Sequence, residues 1–484
     1  MTKRLPVEPA PGPLEGYSAG FDALFSLRNQ RHIFRRYLEG LLLPAGRNKT
    51  LTALANTEPV VGAQGPRAQG LQWFLSESTW DPDAVNARRL ELLRTDPSTA
   101  PTVEGVLVID EHGDRKWGNK TAHVGRQYLA NIGKIDSGVV SVTSLWADER
   151  VYWPIHFEPY TPAHHFERGK QDPGFRTKLG IAGQLVGKAV GAGVPFRAVV
   201  ADCFYGEDRG LKRELERLGV GYVLALKPSH AWWHPEGEIG SLEEAARADG
   251  WTGPGSPGGW ARVVRTFRDG HEEDWWALEV DIGPYGPGRP RRAVVATTDP
   301  EKLPEKETWY LETNLPAPRS ERARSEGGAL STADLAEVVR LYGLRMWVEQ
   351  SYKQVKHSLG WSEYQVRSDL AIRRHWELVC CAFSFCWHNQ AHAPDPGRRP
   401  ARVETPGPAT PEVAGRGGMS AENRCPRPRV SWPTALRAVR AWLEPYVMLR
   451  RYWTAWSDLP PPRQLQALLD RLFLGTGVYL YGTY

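Results

Sequence analysis

No stretch of the 484-residue chain is apolar for long enough to cross a bilayer. The longest strongly apolar run, Leu378 to Trp387, is about half of the ~20 residues a spanning helix needs. A membrane-spanning protein is excluded on that ground. Cysteine is scarce: five residues, an odd number, rule out a disulfide scaffold and make a reducing cytosol the expected compartment. The first residues, Met1-Thr-Lys-Arg-Leu-Pro6, have two basic groups but no apolar run behind them, so no secretory signal is expected. Lysine is also scarce, with 14 among 61 basic residues, which leaves 47 arginines. Guanidinium binds phosphate bidentately, so the bias suits phosphate recognition, although a GC-rich genome produces the same bias.

What the chain has is a sizeable apolar fraction, 41 %, and a length that implies two to four domains. The formal net charge is only +5, but it is unevenly placed. Arg28, Arg31, Arg35, Arg36, Arg47 and Lys49 face a single acid, Glu39, between positions 28 and 49. From Pro396 to Arg463 there are twelve arginines against five acids. Two basic ends around a more acidic centre fit a nucleic-acid enzyme with binding arms, against the plainer reading of solvated helix faces and a basic linker.

Periodicity divides the chain further. Residues 1–98 read as helical, with Leu24, Phe25, Phe34, Tyr37, Leu38, Leu41 and Leu42 on one face and Arg28, Arg31 and Arg35 on another. From Val103 the texture turns to short β-branched runs: strands at Val106 to Asp110, Ser137 to Trp146, Arg150 to Phe157, Phe196 to Asp202 and Tyr222 to Leu226. Helices are expected at Phe175 to Ala192 and Arg209 to Leu218. This order predicts an α/β fold, a mixed sheet with flanking helices, over residues 99–228. Residues 229–325, rich in Gly, Pro and Trp, predict a β-rich insertion. One helix is expected from Ser331 to about Lys356 and another from Arg373 to His388, within residues 326–392. Residues 393–430 read as a Pro/Gly/Arg-rich linker, and residues 431–484 as a C-terminal helical region.

Three acids carry the chemistry. Asp110 and Asp202 each end a buried strand, where a carboxylate costs stability unless it is paired or bound to a metal. Neighbouring strands would bring both to one sheet edge, where oxygen donors suit Mg²⁺. The third, Glu349, lies on the helix after the insertion. At about 100° per residue, Arg345, Glu349, Lys353 and Lys356 fall within about 60° of Tyr342. A salt-bridge ladder on a helix surface is the plain alternative to a catalytic face.

The spacing Tyr-x2-Arg-x3-Glu-x6-Lys, matched by Tyr342, Arg345, Glu349 and Lys356, resembles the signature of a group of insertion-sequence DDE transposases. The flanking strands and the β-rich segment look like the ribonuclease H-like catalytic domain of that group, over roughly Val103 to Arg374. The resemblance implies that Asp110, Asp202 and Glu349 are catalytic and hold Mg²⁺, with Mn²⁺ as a substitute. It implies that Tyr342, Arg345 and Lys356 contact the DNA backbone, and Lys353, on the same helix face, is expected to bind DNA as well. It also implies a bacterial, nucleoid-associated cytoplasmic protein acting on double-stranded DNA, at transposon ends and target, as a homodimer in the synaptic complex. The basic residues Arg28, Arg31, Arg35 and Arg36 are expected to contact phosphates of the ends. The competing readings are a structure-specific nuclease without strand transfer, a domesticated DNA-binding protein, and a glycoside hydrolase with paired carboxylates.

Three weaker signals are set aside. Gly180, Gly183, Gly187 and Gly191 miss the phosphate-loop pattern and are expected to let a helix pack closely on the sheet. Cys380, Cys381 and Cys386 with His388 are expected to be core residues and not a zinc site. Of the tryptophans of the insertion (Trp232, Trp233, Trp251, Trp260, Trp275 and Trp276), most are expected in the core.

Overall fold

The computed structural model describes residues 5–233, 239–282, 291–318, 320, 330–392, 430–457, 459, 462–465 and 467. The expected linker, apart from its last residue, and most of the chain beyond 457 lie outside the described residues.

Five helices come first: α1 (Pro13–Ala19), α2 (Arg28–Leu42), α3 (Leu51–Leu54), α4 (Pro66–Ser76) and α5 (Pro82–Thr95). Strands β1 (Val106–Arg115), β2 (Gly125–Leu129), β3 (Lys134–Ala147) and β4 (Tyr152–Tyr160) come after them. Next are α6 (Lys178–Gly191), β5 (Ala198–Ala201), α7 (Cys203–Gly206), α8 (Arg209–Arg217) and β6 (Tyr222–Ala225). Strands β4, β3, β1, β5 and β6 lie side by side in that order. The first three are an antiparallel meander, and β5 and β6 join parallel to β1 through helical crossovers. This is the mixed sheet with flanking helices that the order of runs predicts, and it is consistent with the ribonuclease H-like domain that the resemblance implies.

Strand β1 is longer than its apolar run. It continues past Asp110 to Arg115 because β3 pairs with it along its full length, from Val106↔Ala147 to Arg115↔Gly138. Asp110 is therefore inside a strand and not at its end.

The expected insertion is not a separate module. After a small hairpin, β7 (Ala231–Trp233) and β8 (Ile239–Ser241), and α9 (Leu242–Ala248), four strands continue the central sheet. These are β9 (Ala261–Thr266), β10 (Glu272–Ile282), β11 (Arg291–Thr297) and β12 (Thr308–Thr313), and β12 pairs antiparallel with β6. The fully buried β6 thus gains a neighbour instead of remaining an open edge.

The single helix expected from Ser331 to Lys356 is two: α10 (Leu335–Gly343), started by Asp334, whose side chain accepts from Glu337 N, and α11 (Met346–Leu359). The break falls at Gly343-Leu344-Arg345, beside a glycine of poor helix propensity. A Cβ at Gly343 would lie 2.7 Å from the Arg265 guanidinium, which packs against that corner.

Helix α12 (Asp369–His392) contains the longest apolar run and is the hub of the core. The N-terminal helices close around it. Tyr17 Oη donates to Cys381 O at 3.1 Å, Tyr37 Oη pairs with His375 Nδ1 at 2.8 Å, and Arg89 Nε meets Glu377 Oε1 at 3.0 Å. Helix α13 (Trp432–Trp456) covers the other side, with Trp432 stacked on Phe383. One continuous apolar cluster runs from Ala10 to Val447, so the N-terminal helices share a core with the sheet and with the helices beyond it. Cys380, Cys381 and Cys386 are buried in it, as expected of core thiols. The glycines of α6 do not pack as expected. A Cβ at Gly183 would meet Glu214 of α8, and nothing lies within 4 Å of one at Gly187 or Gly191.

Candidate active site

Parallel pairing of β1 with β5 aligns Val108 with Val200. Two residues further on, the same register sets Asp110 level with Asp202, on the same face because side chains alternate with period two. Asp202 leaves β5 as the N-cap of α7 and accepts from Phe204 N at 3.0 Å. That turn requires Gly206: a Cβ there would lie 1.9 Å from Ala225 O.

From the other side α11 brings Arg345 and Glu349. Arg345 Nη2 stands 3.1 Å from Asp110 Oδ2 and 4.0 Å from Asp202 Oδ2, and Nη1 stands 3.1 Å from Glu349 Oε1. Three carboxylates from three distant parts of the chain therefore converge on one guanidinium. Asp110 is buried and Glu349 exposed. Burial pushes the Asp110 carboxyl up to about 7; Arg345 opposes that shift and Asp202 adds to it. Arg345 is itself desolvated, yet Asp110, Tyr342, Asp202 and Glu349 hold it above the ordinary arginine value. Its Nε is buried without a hydrogen-bond partner among the described residues.

Among the described residues no three His, Cys, Asp or Glu side chains stand in a metal-holding group. Arg345 occupies the middle of the acids instead. The donor set nonetheless fits a hard divalent cation: all three groups are carboxylates, and they gather where a positive charge already sits. An ion would take over the charge that the guanidinium supplies.

The other predicted residues divide. Tyr342 lies in the last turn of α10, its ring 5.0 Å from that of Trp309, and burial raises its hydroxyl to about 12. Lys353 is exposed on α11. Lys356, expected on the DNA, is instead drawn onto β1: its Nζ is 3.0 Å from the buried Asp114 Oδ1 and 3.1 Å from Gly113 O. Of the N-terminal arginines, Arg28 is exposed but donates to Pro6 O at 2.8 Å. Arg31 is buried, with Nη2 2.9 Å from Leu5 O. Arg35 is buried between Glu15 and Asp22, each at 2.7 Å. The face carrying Arg31 and Arg35 points inward because these acids, outside α2 in sequence, neutralise it. Only Arg36 of the four lines an open cleft.

Several supporting residues were not foreseen. Asp110, His112 and Asp114 alternate along β1, and His112 Nε2 is 3.1 Å from Asp114 Oδ1. Tyr352 packs on His112 with ring centres 4.6 Å apart and hydrogen-bonds Thr143 Oγ1 at 2.6 Å, which seats α11 on the sheet. Lys178, on α6, pairs with Glu111 at 2.8 Å. After Ile109 the sequence runs Asp-Glu-His-Gly-Asp-Arg115 with no apolar alternation, so no local signal marked these residues as a continuing strand. Trp260 and Trp275 are in the core, whereas the side chains of Trp232 and Trp233 lie outside the described residues.

A profile of the family described as DDE superfamily endonuclease matches residues 20–266, just over half of the chain. A probable transposase for insertion sequence element IS701 from Microchaete diplosiphon is 32% identical over 370 residues, covering 76% of this chain and 85% of that protein.

Proposed function

The chain belongs to the DDE superfamily endonucleases and is an insertion-sequence transposase, and from that premise we propose that Asp110, Asp202 and Glu349 are its catalytic acids. The observation that supports this assignment is their convergence on Arg345. The family depends on divalent metal, and the three carboxylates would hold Mg²⁺, with Mn²⁺ as a substitute. Bound there, such ions would supply charge neutralisation for an in-line displacement at phosphorus.

The residues of the chain do the rest. Arg345 turns from the carboxylates to the phosphodiester, and its unpartnered Nε gains a phosphate oxygen as acceptor. Lys353, exposed one turn beyond Glu349, holds the backbone alongside. Lys356 fixes β1 through Asp114 and so positions Asp110. In the first reaction water attacks phosphorus, the bond to the 3′-oxygen breaks, and that oxygen takes a proton to become a 3′-hydroxyl. In the second that hydroxyl attacks a phosphate of target DNA, the bond from that phosphorus to the target strand's own 3′-oxygen breaks, and the displaced oxygen takes up the proton that the attacking hydroxyl gives up. Holding two ends at once calls for a homodimer in the synaptic complex.

The test is cleavage and joining of DNA carrying the element's terminal repeats, with Mg²⁺ or Mn²⁺. Asp110→Asn, Asp202→Asn and Glu349→Gln should each lower cleavage on the order of 10³-fold or more while duplex binding persists. Wild-type cutting by any one variant removes that residue from the site. Cleavage without joined product by the native chain leaves a nuclease in place of a strand-transfer enzyme.

A further inference from the structure

A second cleft lies remote in sequence from the three acids. It encloses about 950 Å³ between α2, α4 and the C-terminal helix α13. Arg36 comes from α2, Arg67 from the first turn of α4, and Arg450 and Arg451 from α13. Two acids also line it, Glu8 and Glu39. Glu39 is taken by Arg450 at 2.6 Å and Arg36 at 3.6 Å, and Glu8 lies 4.0 Å from His32. Arg67 and Arg451 make no ion pair among the described residues. Burial lowers the guanidinium pKa of both Arg36 and Arg451; Glu39 opposes this, while the neighbouring arginines lower it further. Four cations that repel one another, with one buried carboxylate between them, form a site that lacks an anion.

We infer that this cleft binds the phosphodiester backbone of duplex DNA, with Arg67 and Arg451 as the principal contacts and Arg36 and Arg450 at its wall. The inference rests on the proposed function, which supplies DNA as the polyanion. The chemistry comes from the cleft: guanidinium groups converging from separate elements suit successive phosphates, which recur every ~3.4 Å of helix axis along one strand. It gives α13 a role, because without α13 the arginines of α2 and α4 would face open solvent. It also moves DNA binding from Arg31 and Arg35, which are spent on internal contacts, to a surface that joins both basic ends of the chain.

The experiment measures binding of the full-length protein to labelled duplex DNA over a range of salt concentrations. Arg67→Gln and Arg451→Gln should each weaken binding several-fold, alike for all sequences. Each should also reduce the slope of log K against log salt by about 0.9, and the double variant by about twice that. Neither side chain holds an ion pair among the described residues, so melting temperatures should stay at the wild-type value. Arg217→Gln, on an exposed pair with Glu214, controls for net charge and should leave the slope unchanged. A double variant with wild-type affinity and slope, in a protein that binds and cuts DNA, overturns the cleft and leaves the proposed function standing. The same holds if the variants change the oligomeric state without changing DNA binding. A wild-type chain that binds no DNA overturns both.

Discussion

At the residue scale, one arginine sits among the three acids, where the proposed metal would bind. Arg345 compensates Asp110, Asp202 and Glu349, and without that compensation the buried Asp110 would face two like charges. Arg345→Gln should therefore lower the melting temperature in EDTA. It should also enlarge the stabilisation by Mn²⁺, because the ion no longer competes with a guanidinium. Saturating an ion at about 100 times its Kd is worth roughly 2.7 kcal/mol, a shift of several degrees. Equal shifts by Mn²⁺ in wild type and variant would show that the guanidinium does not compete. A second residue-scale effect lies in the core. His375 is buried between Tyr37 and Gly360 O, and burial lowers its pKa to about 4. The folded value is below the unfolded ~6.5, so the unfolded chain binds the extra proton in this window. Its contribution is fully present above about pH 6.5 and is lost as pH falls towards 4, in all about 3 kcal/mol. Denaturant titrations at pH 7, 5 and 4 should show this fall, and His375→Gln should flatten it.

At the scale of elements, the site depends on two tight joints. One is the turn after β5, where Gly206 lets α7 lie against β6. Gly206→Ala pushes a methyl into Ala225 O, so α7 must move and take its N-cap Asp202 with it. Overpacking of this kind costs about 1–3 kcal/mol, and a misplacement near 1 Å costs about 100-fold in rate. Thermal melting together with the cleavage assay checks this, and an unchanged rate would uncouple α7 from the site. The other joint is the break between α10 and α11. Arg265, stacked 4.6 Å from both Trp275 and Trp309, fills the corner at Gly343. The inserted strands thereby support the helix that carries Glu349. The helical spacing of Tyr342, Arg345, Glu349 and Lys356 was legible in the sequence. The break was not, because an uninterrupted helix and two helices parted at Gly343-Leu344-Arg345 show almost the same periodicity.

At the scale of the whole molecule, the N-terminal helices are a wall of the core and not an appended reader. Arg374 donates to Trp80 O and Leu75 O, and Arg89 reaches Glu377 and Ile155 O. Removing the first 95 residues would strip α12 of these partners, so DNA binding has to be probed by single substitutions. The same connectivity brings residues 36 and 451 to one cleft.

The order of residues along the chain was enough for the class of sheet, for the strands that lead to Asp110 and Asp202, and for the helical spacing that sets Arg345 beside Glu349. Apolar runs of four or five residues and a helical spacing are local properties, set by near neighbours. Which charges face inward was not local, and it emerged with the packed fold alone. Arg35 found Glu15 and Asp22, Lys356 found Asp114, and Arg67 and Arg451 are left without carboxylates among the described residues. The partner of a charge is set by packing across the fold, and the burial that makes its pairing matter arises only when distant elements meet.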